Sequence, residues 1–203
     1  MGSLRTFNLA PMMEAFGCRY LFETGTSSGD GVAYAQHFAF DEIWSVEIVP
    51  ELAERAKARF AAVDRIHILN EPSTSALARV LPGLPPSRSV IFWLDAHFPG
   101  ADDGLATYKA EQDDDRRLPL QRELEMIAAL RPASRDVIII DDLRIYEDGE
   151  WEQGPLPEIA STLPPERRNI DFITSSRWAS THQIERSARH TGYLLLTPKV
   201  AKT

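Results

Sequence analysis

The sequence predicts a doubly wound α/β fold, a mostly parallel seven-stranded sheet with helices on both faces. Three features point to it. Five runs of strand length are almost continuously apolar, the pattern of strands covered on both sides. Between them, apolar residues recur at helical spacing. A glycine-rich turn follows the first run directly.

The first strand reads Arg19-Tyr20-Leu21-Phe22 and ends at Glu23-Thr24-Gly25. A helix near Val32–Phe38 follows, and then a second strand, Glu42–Ile48. In Glu51–Ala61, Leu52, Ala56 and Phe60 share one helical face, and Pro50 sits where a first turn tolerates proline. Arg65–Leu69 and Ser89–Asp95 make strands three and four. Leu120, Leu124, Ile127 and Leu130 form a second helical stripe between Pro119 and Arg131-Pro132. Asp136–Asp141 is strand five. Pro155, Pro157, Pro164 and Pro165 break the next region and leave room for one short helix. Asn169–Thr174 and Tyr193–Thr197 are strand-like, and the sequence assigns them as strands six and seven, the latter at an antiparallel edge.

A chain of 203 residues suits one domain spanning residues 1–203, with 43% apolar residues to fill a core. The net charge of −8, with no Lys/Arg cluster among aromatics, argues against a nucleic-acid partner. No apolar run is long enough to span a bilayer, and the start lacks the apolar core of a secretory signal. Cys18 is the one cysteine, so neither an internal disulfide nor a cysteine metal cluster is expected. A cytoplasmic protein is the default expectation. Residues 98–117 stand apart: Asp102, Asp103, Glu111, Asp113, Asp114 and Asp115 crowd a stretch with little apolar content. Such an acidic loop serves as a lid over a site or is a surface insertion.

The turn Glu23-Thr24-Gly25-Thr26-Ser27-Ser28-Gly29-Asp30-Gly31 lets a ligand approach the backbone beside a helix start. Glu47, at the end of strand two, lies roughly 20 residues beyond it, where an acid can accept hydrogen bonds from both ribose hydroxyls of a nucleoside. Glu23-x-Gly25-x-Ser27-x-Gly29 resembles the acid-x-Gly-x-Gly-x-Gly motif of class I S-adenosylmethionine (SAM)-dependent methyltransferases, with Ser27 in place of the middle glycine. The resemblance covers residues 18–145 and implies a Rossmann-like fold. It further implies a cofactor set of Glu23, Gly25, Thr26, Ser27, Gly29, Glu47, Ile48 and Asp95, with Glu71 and Ser73 near the adenine. A nicotinamide dinucleotide is less well served. The Gly-x-Gly-x-x-Gly pattern fails at Ser27 and Asp30, and an acid at position 23 suits the positive charges of SAM better than phosphates.

Strand four ends in Asp95-Ala96-His97-Phe98 and strand five in Asp141-Asp142, at the edge where open α/β sheets bind ligands. Clustered carboxylates repel unless protonated or bridged by a cation, and oxygen ligands favour Mg²⁺, Mn²⁺ or Ca²⁺. The placement resembles metal-dependent O-methyltransferases of the catechol and macrocin types. It implies metal ligands Asp95, Asp141 and Asp142, with Mg²⁺ the first choice. His97 is the nearest candidate base, and Asp95 counts with it among the candidate catalytic residues. Phe98 stands where the catechol-type enzymes carry a basic lysine. His37, His67, His182 and His190 read as structural, while Trp93, Tyr146, Trp151 and Trp178 are available to line an acceptor pocket. The Asn/Asp-Pro-Pro-Tyr/Phe signature of base methylases is absent after strand four. The expected activity is SAM-dependent methylation of a hydroxyl on a small sugar or phenolic molecule, with a homodimer able to supply a missing pocket wall. The alternatives are a non-catalytic SAM-binding or partner protein of this fold and, less favoured, an NAD(P)-dependent oxidoreductase.

Overall fold

A computed structural model describes residues 3–132, 135–155, 163 and 165–199. Its strands are β1 (Cys18–Thr24), β2 (Glu42–Glu47), β3 (Ile66–Asn70), β4 (Ser89–Leu94), β5 (Val137–Ile140), β6 (His182–Ser187) and β7 (Tyr193–Pro198). They form one seven-stranded sheet in the order β3-β2-β1-β4-β5-β7-β6. The first five are parallel, and β7 runs antiparallel to both β5 and β6. This is the predicted Rossmann-like doubly wound sheet. The connections reverse direction between β1 and β4, and there the crevice opens at the carboxyl ends of the strands.

Both faces are covered, which is why the strands read as unbroken apolar runs. Leu21, Ile43, Ile91, Val137 and Ile139 face one core with α1 (Leu9–Phe16), α2 (Asp30–Ala35) and α3 (Pro50–Phe60). Phe22, Val46, Phe92, Ile138 and Ile140 face the other, with α4 (Ser73–Val80) and α6 (Leu120–Leu130), which the one-turn α5 (Asp114–Arg117) precedes in the chain. Neighbouring residues on a strand point to opposite faces, so Ile91 and Phe92 serve different cores. A buried ion pair ties the start of β5 to β4. Arg131 Nε donates to Asp136 Oδ2 over 2.7 Å, and the Val90 amide donates to Asp136 Oδ1 over 2.8 Å.

The last third departs from the sequence pattern. Asn169–Thr174 is not a strand; it holds a turn and the one-turn helix α7 (Asp171–Thr174), followed by α8 (Arg177–Thr181). The sixth strand is His182–Ser187, and β7 lies inside the sheet between β5 and β6 rather than at its edge. An edge strand needs a partner on one side only, so β6 carries the polar run His-Gln-Ile-Glu-Arg-Ser and shows no apolar signal. Pro157 and Pro164 lie outside the described residues, and Pro165–Arg167 forms a single 3₁₀ turn. Among the described residues no helix is long and apolar enough to cross a membrane.

Candidate active site

The sheet register puts the candidate residues in one row. The Gly25 amide donates to Val46 O, the Asp95 amide to Thr24 O, and the Asp141 amide to Leu94 O. Four strands therefore end level, and the residues after them share one rim. The turn after β1 is drawn tightly under β4. Gly25 has φ +83°, and a Cβ there would stand 2.7 Å from the Asp95 carbonyl oxygen, so only glycine fits. At Gly31 a Cβ would come within 1.9 Å of Glu23 Oε1.

That contact locates Glu23. Its buried carboxyl sits beneath the glycine turn and accepts a hydrogen bond from the Ser45 hydroxyl, which in turn lies 2.6 Å from the Thr26 hydroxyl. Burial pushes the Glu23 carboxyl up to about 8, against the lowering effect of Ser45. Glu23, Thr26 and Gly29 support the turn from behind and do not line the cavity, whereas Gly25 and Ser27 do. The expectation that Glu23 would face the positive charges of SAM is thus corrected, because the carboxyl points into the packing under the turn. Glu47 does line the cavity. Its Oε2 accepts from the Ser27 amide and its Oε1 from the Val49 amide, both over 2.9 Å. Two donors hold the carboxylate in place, and each oxygen keeps a lone pair for a further partner. Burial pushes its carboxyl up.

The cavity has a volume of about 290 Å³. Ile48, Glu71 and Ser73 line one end of it, and Asp95, His97 and Asp142 the other. Glu71 is also ion-paired to Arg79. The acidic loop folds against this second end. The Phe98 amide donates to Arg117 O over 2.9 Å and closes the base of the loop. The Ser27 hydroxyl donates to Asp103 Oδ1 over 2.8 Å and fastens it to the glycine turn.

His97 sits among carboxylates. Nε2 is 3.0 Å from Asp142 Oδ2 and 3.5 Å from Asp102 Oδ2, while Nδ1 is 3.0 Å from the Asp95 carbonyl. Burial alone would lower the imidazole pKa, but Asp102 and Asp142 outweigh it and hold the ring well above its ordinary value. The carboxylates therefore favour the protonated ring, which runs against the expectation of His97 as a neutral base. Burial and the charge of Asp141 push Asp95 well above the usual carboxylate range. Burial and Asp142 push Asp141 to about 6. Asp142, though buried, is held below its ordinary value by His97 and Arg144.

The metal expected on Asp95, Asp141 and Asp142 does not fit this donor set. Asp142 Oδ1 accepts from Arg144 Nε over 2.7 Å, and its Oδ2 faces His97. Asp141 Oδ1 already accepts from the Thr191 hydroxyl and the Asp142 amide, over 2.9 and 2.6 Å. The protein's own donors and cations meet these oxygens, and among the described residues no group of three or more His, Cys, Asp or Glu is arranged to hold a metal ion. Arg144, two residues beyond Asp142, was the sequence signal for this outcome.

Of the aromatic candidates, Trp93 packs into the core with Phe7 and Tyr193, Trp178 packs against His182, and Trp151 crowds Gly149 and Gly192. Tyr146 is buried close behind the Asp95–His97 segment. His182 bridges the Thr181 hydroxyl and the Asp136 carbonyl, as a structural histidine does.

No family model and no curated protein matches the sequence. The fold does match solved structures. An S-adenosylhomocysteine (SAH)-bound methyltransferase from Podospora anserina gives a TM-score of 0.58 over 90% of this chain and 72% of that one, at 14% identity. A Staphylococcus aureus protein provisionally named a caffeoyl-CoA O-methyltransferase gives 0.64 over 98% and 85%, at 11% identity. A Bacillus cereus O-methyltransferase in complex with SAH gives 0.59 over 94% and 79%, at 15% identity. The chain has the class I SAM-dependent methyltransferase fold.

Proposed function

We propose that this chain is a SAM-dependent methyltransferase that acts on a hydroxyl of a small molecule, a sugar or a phenol. One observation carries the reading: Gly25, Glu47, Asp95 and Asp141 sit at four level strand ends and border a single cavity. Glu47 is built to hold a ribose, with its carboxylate already oriented by the Ser27 and Val49 amides. Ile48, Glu71 and Ser73 would border the adenine, and Gly25 and Ser27 the methionine portion. When bound, SAM supplies an electrophilic methyl group on its sulfonium.

The remaining work falls to the other end of the cavity. Asp95 accepts the proton of the acceptor hydroxyl, its basicity raised by burial and by Asp141. The protonated His97 spans Asp102 and Asp142 and fixes the wall on which the acceptor rests. Nine of the lining side chains are carboxylates and one, Arg116, is an arginine. Such a wall favours a neutral or cationic acceptor over a phosphorylated or CoA-linked one.

Calorimetric titration with SAM and with NAD, in Mg²⁺ and in EDTA, tests the reading. Micromolar SAM binding that is indifferent to EDTA and lost in Glu47→Ala is expected. Absence of SAM binding in both conditions refutes it, and binding without turnover across hydroxylated acceptors would favour a binding protein of the same fold.

A further inference from the structure

Behind the segment Asp95-Ala96-His97 lies a second cavity, of about 10 Å³. Asp95, Ala96, His97 and Asp141 line both cavities. The far wall of the small cavity holds Glu123, from α6, and Tyr146. Glu123 is 1% exposed, and neither of its oxygens has a hydrogen-bond partner among the described residues. The hydroxyls of Ser73 and Thr24 lie near enough to favour its charged form, and they place it under the junction of the glycine turn and α4. An unpartnered carboxyl is costly in such a position, and a polar cavity the size of one probe sphere is what a single buried water needs.

We propose that the small cavity seats one water linking Glu123 to the Asp95 side of the site, and that Glu123 receives the proton released by methylation. The relay, unlike the water seat, rests on the methyltransferase reading. As the acceptor oxygen gains its methyl group, its O–H bond breaks and the proton passes to the Asp95 carboxylate. The water takes that proton while giving one of its own to Glu123, which frees Asp95 during the transfer. Once product leaves and solvent enters the large cavity, the same chain runs backwards, from Glu123 through the water and Asp95 to bulk water, and both carboxylates are restored for the next turnover. Such a path moves the proton away from the cavity that the cofactor and acceptor fill. Glu123 touches neither ligand in this scheme; it acts through the water.

Two measurements on the full chain test this. In a high-resolution crystal structure with SAH bound, an ordered water within hydrogen-bond distance of Glu123 is expected in the wild type and absent in Glu123→Leu. A dry wild-type cavity overturns the proposal whatever the activity. In steady-state methylation of catechol, Glu123→Gln, which keeps the side-chain shape, is expected to lower kcat roughly tenfold or more while leaving KM for SAM unchanged. The solvent deuterium isotope effect on kcat should also change, which a packing role alone would not produce. An unchanged kcat overturns the relay. Wild-type protein that methylates no acceptor fails the methyltransferase reading instead, and the electron density still decides the water seat.

Discussion

Replacing Glu123 by glutamine should stabilise the protein at alkaline pH relative to acid pH. Burial raises the Glu123 carboxyl from 4.5 to about 7, with the Ser73 and Thr24 hydroxyls opposing the shift. The sign follows from proton counting. Between pH 4.5 and about 7 the folded state keeps a proton that the unfolded chain has already released, so stability falls as pH rises through that window. Below the window the effect is absent, and above it the full cost remains. At about 1.4 kcal/mol for each unit, the whole cost approaches 3 kcal/mol by pH 8. Glutamine does not titrate, so the stability of Glu123→Gln minus that of the wild type should grow by about 3 kcal/mol from pH 4.5 to pH 8. Any constant packing penalty cancels in this difference. Urea unfolding followed by tryptophan fluorescence at pH 4.5, 6 and 8 measures it directly, and a chain of this size should show the gain as about 6–12 °C in Tm. A difference that stays flat with pH would refute the reasoning, since it would mean that Glu123 ionises as a solvated carboxyl does.

Gly31→Ala should lower stability and SAM affinity together, because its Cβ would stand 1.9 Å from Glu23 Oε1 and drive that carboxyl off Ser45. The expected loss is about 2–3 kcal/mol in urea unfolding, and Glu23→Asp on the same chain, shorter by one methylene, should recover part of it; no recovery would show that the clash lies elsewhere. Arg131→Met should cost about 3–5 kcal/mol in the same assay, because it leaves the buried Asp136 carboxylate without its bidentate partner. A loss below about 1 kcal/mol would mean that water reaches Asp136 in the variant.

The sequence by itself determined the first five strands, because each sends apolar residues into both cores and so reads as a mostly apolar run. It also determined which residues end those strands, and hence the row of Gly25, Glu47, Asp95 and Asp141. Where a strand has one open side the constraint relaxes, and β6 could not be read from His182–Ser187. Helices α1 and α4 are short and do not announce themselves by periodicity. Glu123 did leave a trace: three residues after Leu120 and four before Ile127, it is a carboxylate on an apolar stripe. What only the tertiary structure decided is where each acid points. Glu23 and Glu47 both end strands, yet Ser45 and Gly31 hold one beneath the turn, while two amides hold the other in the cavity. Asp142 carries the same charge in any context, but His97 and Arg144 occupy the oxygens that a metal would have needed. Residue type fixes which groups can accept a hydrogen bond or carry charge. Which donor meets each acceptor depends on contacts between residues far apart in the chain, and those exist only once the sheet has formed.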